Sequence, residues 1–270
     1  MNTTFNNAPL VEIVAELRWT PTSQHMLTPQ SNGIVPSIFD SNAFEEFFMR
    51  FGGICYSDGF QRAERLVPSG FPAILGQPVF RYKKGAEEVR SELYQVGPGL
   101  FTANATPPYK SWVEFSPVVK SGVDALLLAR NQTEQEVAFS KVSLRYIDAF
   151  GPNLTKGMPL EDFVSEVLGF KVDLPKSVSS LVTDGQKAKV FVQLNFATRN
   201  GMSVNVTVGE GQANNSPVVV LDTTVTSINP VEPNAGSVMT ALDAARTIIH
   251  DMFIELTKSI RNEMNPIEGA

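Results

Sequence analysis

Between Val11 and Trp19 every second residue is apolar: Val11, Ile13, Ala15, Leu17 and Trp19, with Glu12, Val14, Glu16 and Arg18 between them. Alternation with period two predicts a half-buried strand. A loop containing Pro, Gly and Ser follows at 20–40, and DSNAFEEFFMRFGG then changes the period. Phe44, Phe47, Phe48 and Phe51 fall on one helical stripe, Ser41 or Asn42 offers a cap, and Gly52 is expected to end the helix. Three strand candidates come next, at 78–84, at 91–104 with a Gly-Pro-Gly bend, and at 111–119. GVDALLLAR at 122–130 then reads as a short helix.

The second half of the chain repeats that order. KVSLRYIDAF at 141–150 is a strand, and Leu160, Phe163, Val164 and Val167 stand at helical spacing. Strand candidates follow at 187–197, 201–211 and 217–228. A closing helix is expected from about Ser237 to Glu263, with Val238, Leu242, Ala245, Ile249, Met252, Leu256 and Ile260 as its stripe. Gly236-Ser237 offers its start, and Thr240 with Asp243 resembles a capping box.

Each half thus reads strand, helix, three strands, helix, with LRW at 17–19 and LRY at 144–146 closing matching strands. This predicts an α+β fold built from a duplicated unit, residues 1–135 and 136–270, packed as one body. The two copies would form one extended antiparallel sheet covered by helices, in the manner of a saddle or a helix grip, with a long C-terminal helix. Element order of this kind carries no function.

Composition changes the picture little. Hydrophobic residues make 43% and charged residues 19% of the 270 positions, as in ordinary globular proteins. A net charge of −6 makes nucleic acid an unfavourable partner, because such binding relies on Lys and Arg neutralising phosphates. No apolar run is long enough to span a membrane, and Glu12 and Glu16 interrupt the region where a signal peptide needs an apolar core. The expectation is a cytoplasmic protein.

Candidate chemistry is sparse. Two histidines, His25 and His250, and one cysteine make no Cys/His zinc pattern; a carboxylate-only Mg²⁺ site stays open, since its ligands can come from anywhere in the chain, and no metal or cofactor residue is singled out. Cys55 has no recognisable His partner, and GPGLFT and GEGQAN share only Gly-x-Gly, each between strands rather than before a helix. Glu12 and Glu16 lie on one strand face about 13 Å apart at ~3.3 Å per residue. Glycosidase carboxylate pairs need ~5 to 9.5 Å. Arg18, two residues from Glu16 on that face, instead suggests a cross-strand charge network, with Arg145 as the counterpart in the second copy. PPYKSWVEF places Tyr109 and Trp112 beside a Pro-Pro bend, where aromatic residues can anchor a partner.

Three segments taken together, APLVEIVAELRW, YQVGPGLFTANATPPYKSWVEF and VSLRYIDAF, resemble a sporadically distributed family of prokaryotic proteins with no established activity. Its members share a PLVE strand, a Q-x-G-x-x-x-x-x-N…Y-x-x-W/Y middle and an RYIN-like strand. Gln95, Gly97, Asn104, Tyr109 and Trp112 fit the middle pattern, and Asp148 stands where that family often has Asn. The resemblance implies no catalytic residue, but patchy distribution is common in defence and toxin–antitoxin genes.

These observations favour a non-enzymatic binding or regulatory protein, an accessory or inhibitory component of a bacterial defence or toxin–antitoxin system. Its partner would be another protein, or a second copy joined through the C-terminal helix. The alternative is a small-molecule sensor or enzyme with a pocket between sheet and C-terminal helix. Candidate interaction residues are Glu16, Arg18, Asn104, Tyr109, Trp112, Arg145 and Asp148.

Overall fold

The computed structural model describes residues 4–21, 38–40, 44–85, 92–107, 111–183, 188–213 and 215–267. Its main sheet is antiparallel and has nine strands: β1 (Leu10–Arg18), β2 (Arg62–Arg65), β3 (Phe80–Lys83), β4 (Leu93–Gly97), β5 (Leu100–Ala105), β6 (Lys141–Phe150), β7 (Val192–Ala197), β8 (Met202–Ala213) and β9 (Ser216–Ser227). Their order is β7-β8-β9-β6-β1-β5-β4-β3-β2. The main helices are α1 (Glu45–Ser57), α2 (Trp112–Ala129) and α3 (Ala235–Leu256). The fold class is α+β, and in each half the first strand neighbours the last strand before the closing helix.

The chain divides into two compact units, one holding 13–144 and 226–246, the other 1–12, 145–225 and 247–270. In the first, β1 alternates as its sequence predicts. Ile13, Ala15, Leu17 and Trp19 are buried, whereas Glu16 and Arg18 remain partly exposed. The register aligns Leu17, Phe101, Val96 and Phe80 across four strands of one face. α1 and α2 pack against each other, and Phe48, Phe51 and Cys55 of α1 and Phe115, Val119, Val123 and Leu126 of α2 are buried.

Two expected boundaries are corrected. α1 does not stop at Gly52 but runs through to Ser57. A Cβ at Gly52 would lie 2.5 Å from Cε1 of Tyr82, so this glycine permits close packing rather than a turn. The proposed caps Ser41 and Asn42 lie outside the described residues.

The proposed strand at 111–119 is also overturned, since it forms the first half of α2. Ser111 is its N-cap and accepts from the Glu114 backbone N–H, and Glu114 occupies the N3 position of the Ser-x-x-Glu pattern. Trp112, Phe115, Val119, Val123 and Leu126 then recur every three or four residues as a buried stripe.

The second unit has its own apolar centre. Phe150 packs on Phe163 at 5.2 Å and on Phe253 at 6.5 Å between centroids, and Phe5 meets Phe253 edge-on. Val204, Val206 and Val208 of β8 and Val219 and Leu221 of β9 are buried. The helix expected over 158–170 is shorter, a turn at Leu160–Asp162 continued by a π-turn at Phe163–Val167. α3 starts at Ala235, with Asn234 Oδ1 accepting from the Ser237 N–H at 2.8 Å, and ends at Leu256. A short 3-10 turn, Lys258–Ile260, follows. No helix among the described residues is long and apolar enough to cross a membrane.

Candidate functional site

Glu16 and Arg18 sit on the face of β1 opposite the core. Arg18 grips Glu16 with both ends of its guanidinium, Nε to Oε1 at 2.5 Å and Nη2 to Oε2 at 3.1 Å. The strand register extends this row across the sheet as Glu16, Thr102, Gln95, Arg81 and Glu64. Thr102 donates to Asn104 Oδ1 at 2.8 Å, and the Gln95 amide oxygen accepts from Arg81 Nε and Nη2 at 3.1 and 3.0 Å. Lys83 closes on Glu64 at 3.0 Å and, through that hydrogen bond, holds its carboxyl below the usual range. Gln95 and Asn104 of the resemblance motif therefore belong to a self-satisfied polar face. Such a network sets register and has few donors left for a ligand.

Trp112 is buried and donates from Nε1 to Asp243 at 2.6 Å, tying α2 to α3. Tyr109 lies outside the described residues. In the other unit Arg145 makes a bidentate pair with Asp222, at 2.8 and 2.5 Å. Asp148, three residues on, is buried, and its carboxyl is pushed up to about 8 by desolvation and by the charge of Asp222. Three surface cavities, of about 550, 370 and 250 Å³, include neither Arg18 nor Arg145 nor any residue of α3 in their lining.

A second polar cluster, which no sequence pattern predicts, lies at the end of β1. Just after α2, Arg130 is fully buried, with its guanidinium carbon 5.1 Å from the ring centroids of both Trp19 and Phe139. Its Nη2 donates to the Val137 carbonyl at 2.9 Å, and burial lowers its pKa to about 10. Glu134, also buried, accepts from Trp19 Nε1 at 3.1 Å. Asn131 Oδ1 shapes the turn by accepting from the Glu134 N–H at 3.0 Å. Trp19 and Glu134 line the 250 Å³ cavity with Phe44, Phe47 and Arg50. Trp19 Nε1 and Glu134 are engaged with each other, whereas Arg130 Nε and Nη1 are buried without a hydrogen-bond partner; the cluster ties the end of β1 to the 130–139 turn.

Cys55 is buried, and desolvation raises its thiol to about 12, so it is protonated at neutral pH and a poor nucleophile. Among the described residues no group of three or more His, Cys, Asp or Glu gathers as metal ligands would.

The ends of the sheet differ in a way that bears on binding. β2, at one end, reads Arg-Ala-Glu-Arg, three charges in four residues. Charges on an edge discourage another strand from pairing there. β7, at the other end, reads Val-Gln-Leu-Asn-Phe-Ala, and no residue from Val190 to Thr198 is charged or Pro. Its register places Val192, Leu194 and Phe196 opposite Val208, Val206 and Val204 of β8, on the face where β8 is buried. Yet Leu194 and Phe196 are 41% and 45% exposed, and Phe191 is 70% exposed. Exposed Val172, Leu174, Val178 and Leu181 add to the apolar surface of this unit. Phe191, Val172 and Leu174 line the 550 Å³ cavity.

No protein-family model matches this chain, and no curated protein matches it.

Proposed function

We propose that the protein is a binding or regulatory component that takes up an extended segment of a partner chain along β7. The observation that carries this reading is the contrast between the two sheet ends, one guarded by Arg62, Glu64 and Arg65, the other uncharged with Leu194 and Phe196 half open. An added strand satisfies the outer backbone groups of an edge, and its alternate side chains cover the apolar ones. The stripe of α3 is a weaker candidate, because Val238, Leu242, Ala245 and Ile249 are already buried within the chain. A defence or toxin–antitoxin setting rests on the family resemblance alone.

The full chain carrying a tag, recovered from its native cells, is expected to bring down a stoichiometric partner, a differently tagged second copy included. Leu194→Lys should lose that partner, and Ala63→Lys on β2 should keep it. Equal recovery by the wild type and Leu194→Lys, or recovery of no partner by the wild type, contradicts the proposal.

A further inference from the structure

We infer that the strand taken up by β7 is β7 of a second copy of this chain, paired antiparallel about a two-fold axis at Asn195. The inference rests on the preceding reading of β7 as a pairing edge. In an antiparallel pair, residues directly opposite share a face of the sheet. A two-fold axis through a residue always matches odd positions with odd and even with even. Val192, Leu194 and Phe196 of both copies thus share one face, and Gln193, Asn195 and Ala197 the other.

Two such registers are centred on Val192–Ala197, and they differ in their contacts. An axis at Leu194 sets Leu194 against itself and Val192 against Phe196, and leaves Asn195 without its own copy opposite. An axis at Asn195 sets Leu194 against Phe196, Gln193 against Ala197 and Asn195 against itself. The half-open Leu194 and Phe196 then cover each other in both copies, and the buried row Val204, Val206 and Val208 gains an apolar continuation.

The polar face suits the same register. Asn195 hydrogen-bonds Asn205 of β8 at 2.5 Å, so the axis would add a third and a fourth amide to this row. Amide rows between strands are self-complementary, whereas charges are not. For a chain with net charge −6, self-association needs a surface without like charges. The uncharged stretch Val190 to Thr198 meets that condition, and the ion pair Lys189–Glu210 stands outside it.

Charge exchange at the axis tests the inference. The purified full chain is followed by sedimentation velocity from about 1 to 100 µM, a range that separates weak from standard interfaces. The wild type is expected as a dimer. Asn195→Lys and Asn195→Glu each place a charge against its own copy, and each should weaken the dimer roughly tenfold or more. An equimolar mixture of the two variants should restore it. Both substitutions fall on an exposed position, so unchanged circular dichroism and melting keep loss of fold from mimicking the result. A wild type that stays monomeric overturns the inference. If Leu194→Lys still abolishes capture of a different protein, only self-pairing fails and strand binding at β7 stands. A dimer that neither variant weakens, together with capture insensitive to Leu194→Lys, overturns both.

Discussion

Asp148→Asn is expected to stabilise the protein at pH 9 and to leave it nearly unchanged at pH 4. The Asp148 carboxyl is buried, and its pKa rises from 3.8 to about 8, first through desolvation and then through the charge of Asp222. The folded chain therefore holds this proton more tightly than the unfolded chain does. The resulting stability is fully present below about pH 4 and is lost as pH rises through about 8. The whole span corresponds to a cost on the order of 5 kcal/mol in the alkaline limit, most of it already felt at pH 7. Asn keeps the shape and carries no such ionisation. Urea midpoints of both chains at pH 4, 7 and 9 should diverge steadily with pH, and parallel profiles would refute this account of Asp148.

Arg130→Ala is expected to remove about 3–5 kcal/mol, among the largest losses a single side chain can cause. The guanidinium lies against Trp19 and Phe139 and donates to the Val137 carbonyl. Its removal opens a cavity between two rings and strips Glu134 of the nearby positive charge that shares its burial. Arg130→Met should cost much less. It refills the volume, and it also removes the Nε and Nη1 groups, which are buried without a hydrogen-bond partner. Chemical denaturation of the two variants separates the terms: equal losses would show that the charge, and not the packing, holds this corner.

Where the sequence was legible, the reason was an environment with one wet and one dry side. β6 occupies 141–150 as its pattern predicts, and β1 lies within one residue of its predicted span, because each has a core face and an outer face. β2 is not legible, since an edge strand written as Arg-Ala-Glu-Arg has no apolar alternation. The start of α2 is not legible as helix, because Pro117 argues against a helix interior. The Ser111-x-x-Glu114 cap and the spacing of Trp112, Phe115 and Val119 are the signals that favour a helix there.

The candidate site divides the same way. That Glu16 and Arg18 share a face is legible, because residues two apart on a strand do; that Arg18 pairs with Glu16 within its own strand rather than across to a neighbour is not. Arg130 and Glu134 were not readable, because a charged residue after a helix is ordinarily solvated and only tertiary packing buries it. The sequence composition of β7 was visible from the start. Its meaning was not, since being the last strand of a sheet is a property of topology.

Amide hydrogen exchange across the main sheet tests the role of β7 most directly. In dilute protein, the amides of Val192–Ala197 that point away from β8 should exchange quickly, along with those on the outer side of β2. On raising the concentration or adding the captured partner, the β7 amides should become protected and those of β2 should not. If partner binding slows exchange elsewhere while β7 stays fast, the strand is an ordinary exposed edge and the binding role proposed for it is wrong.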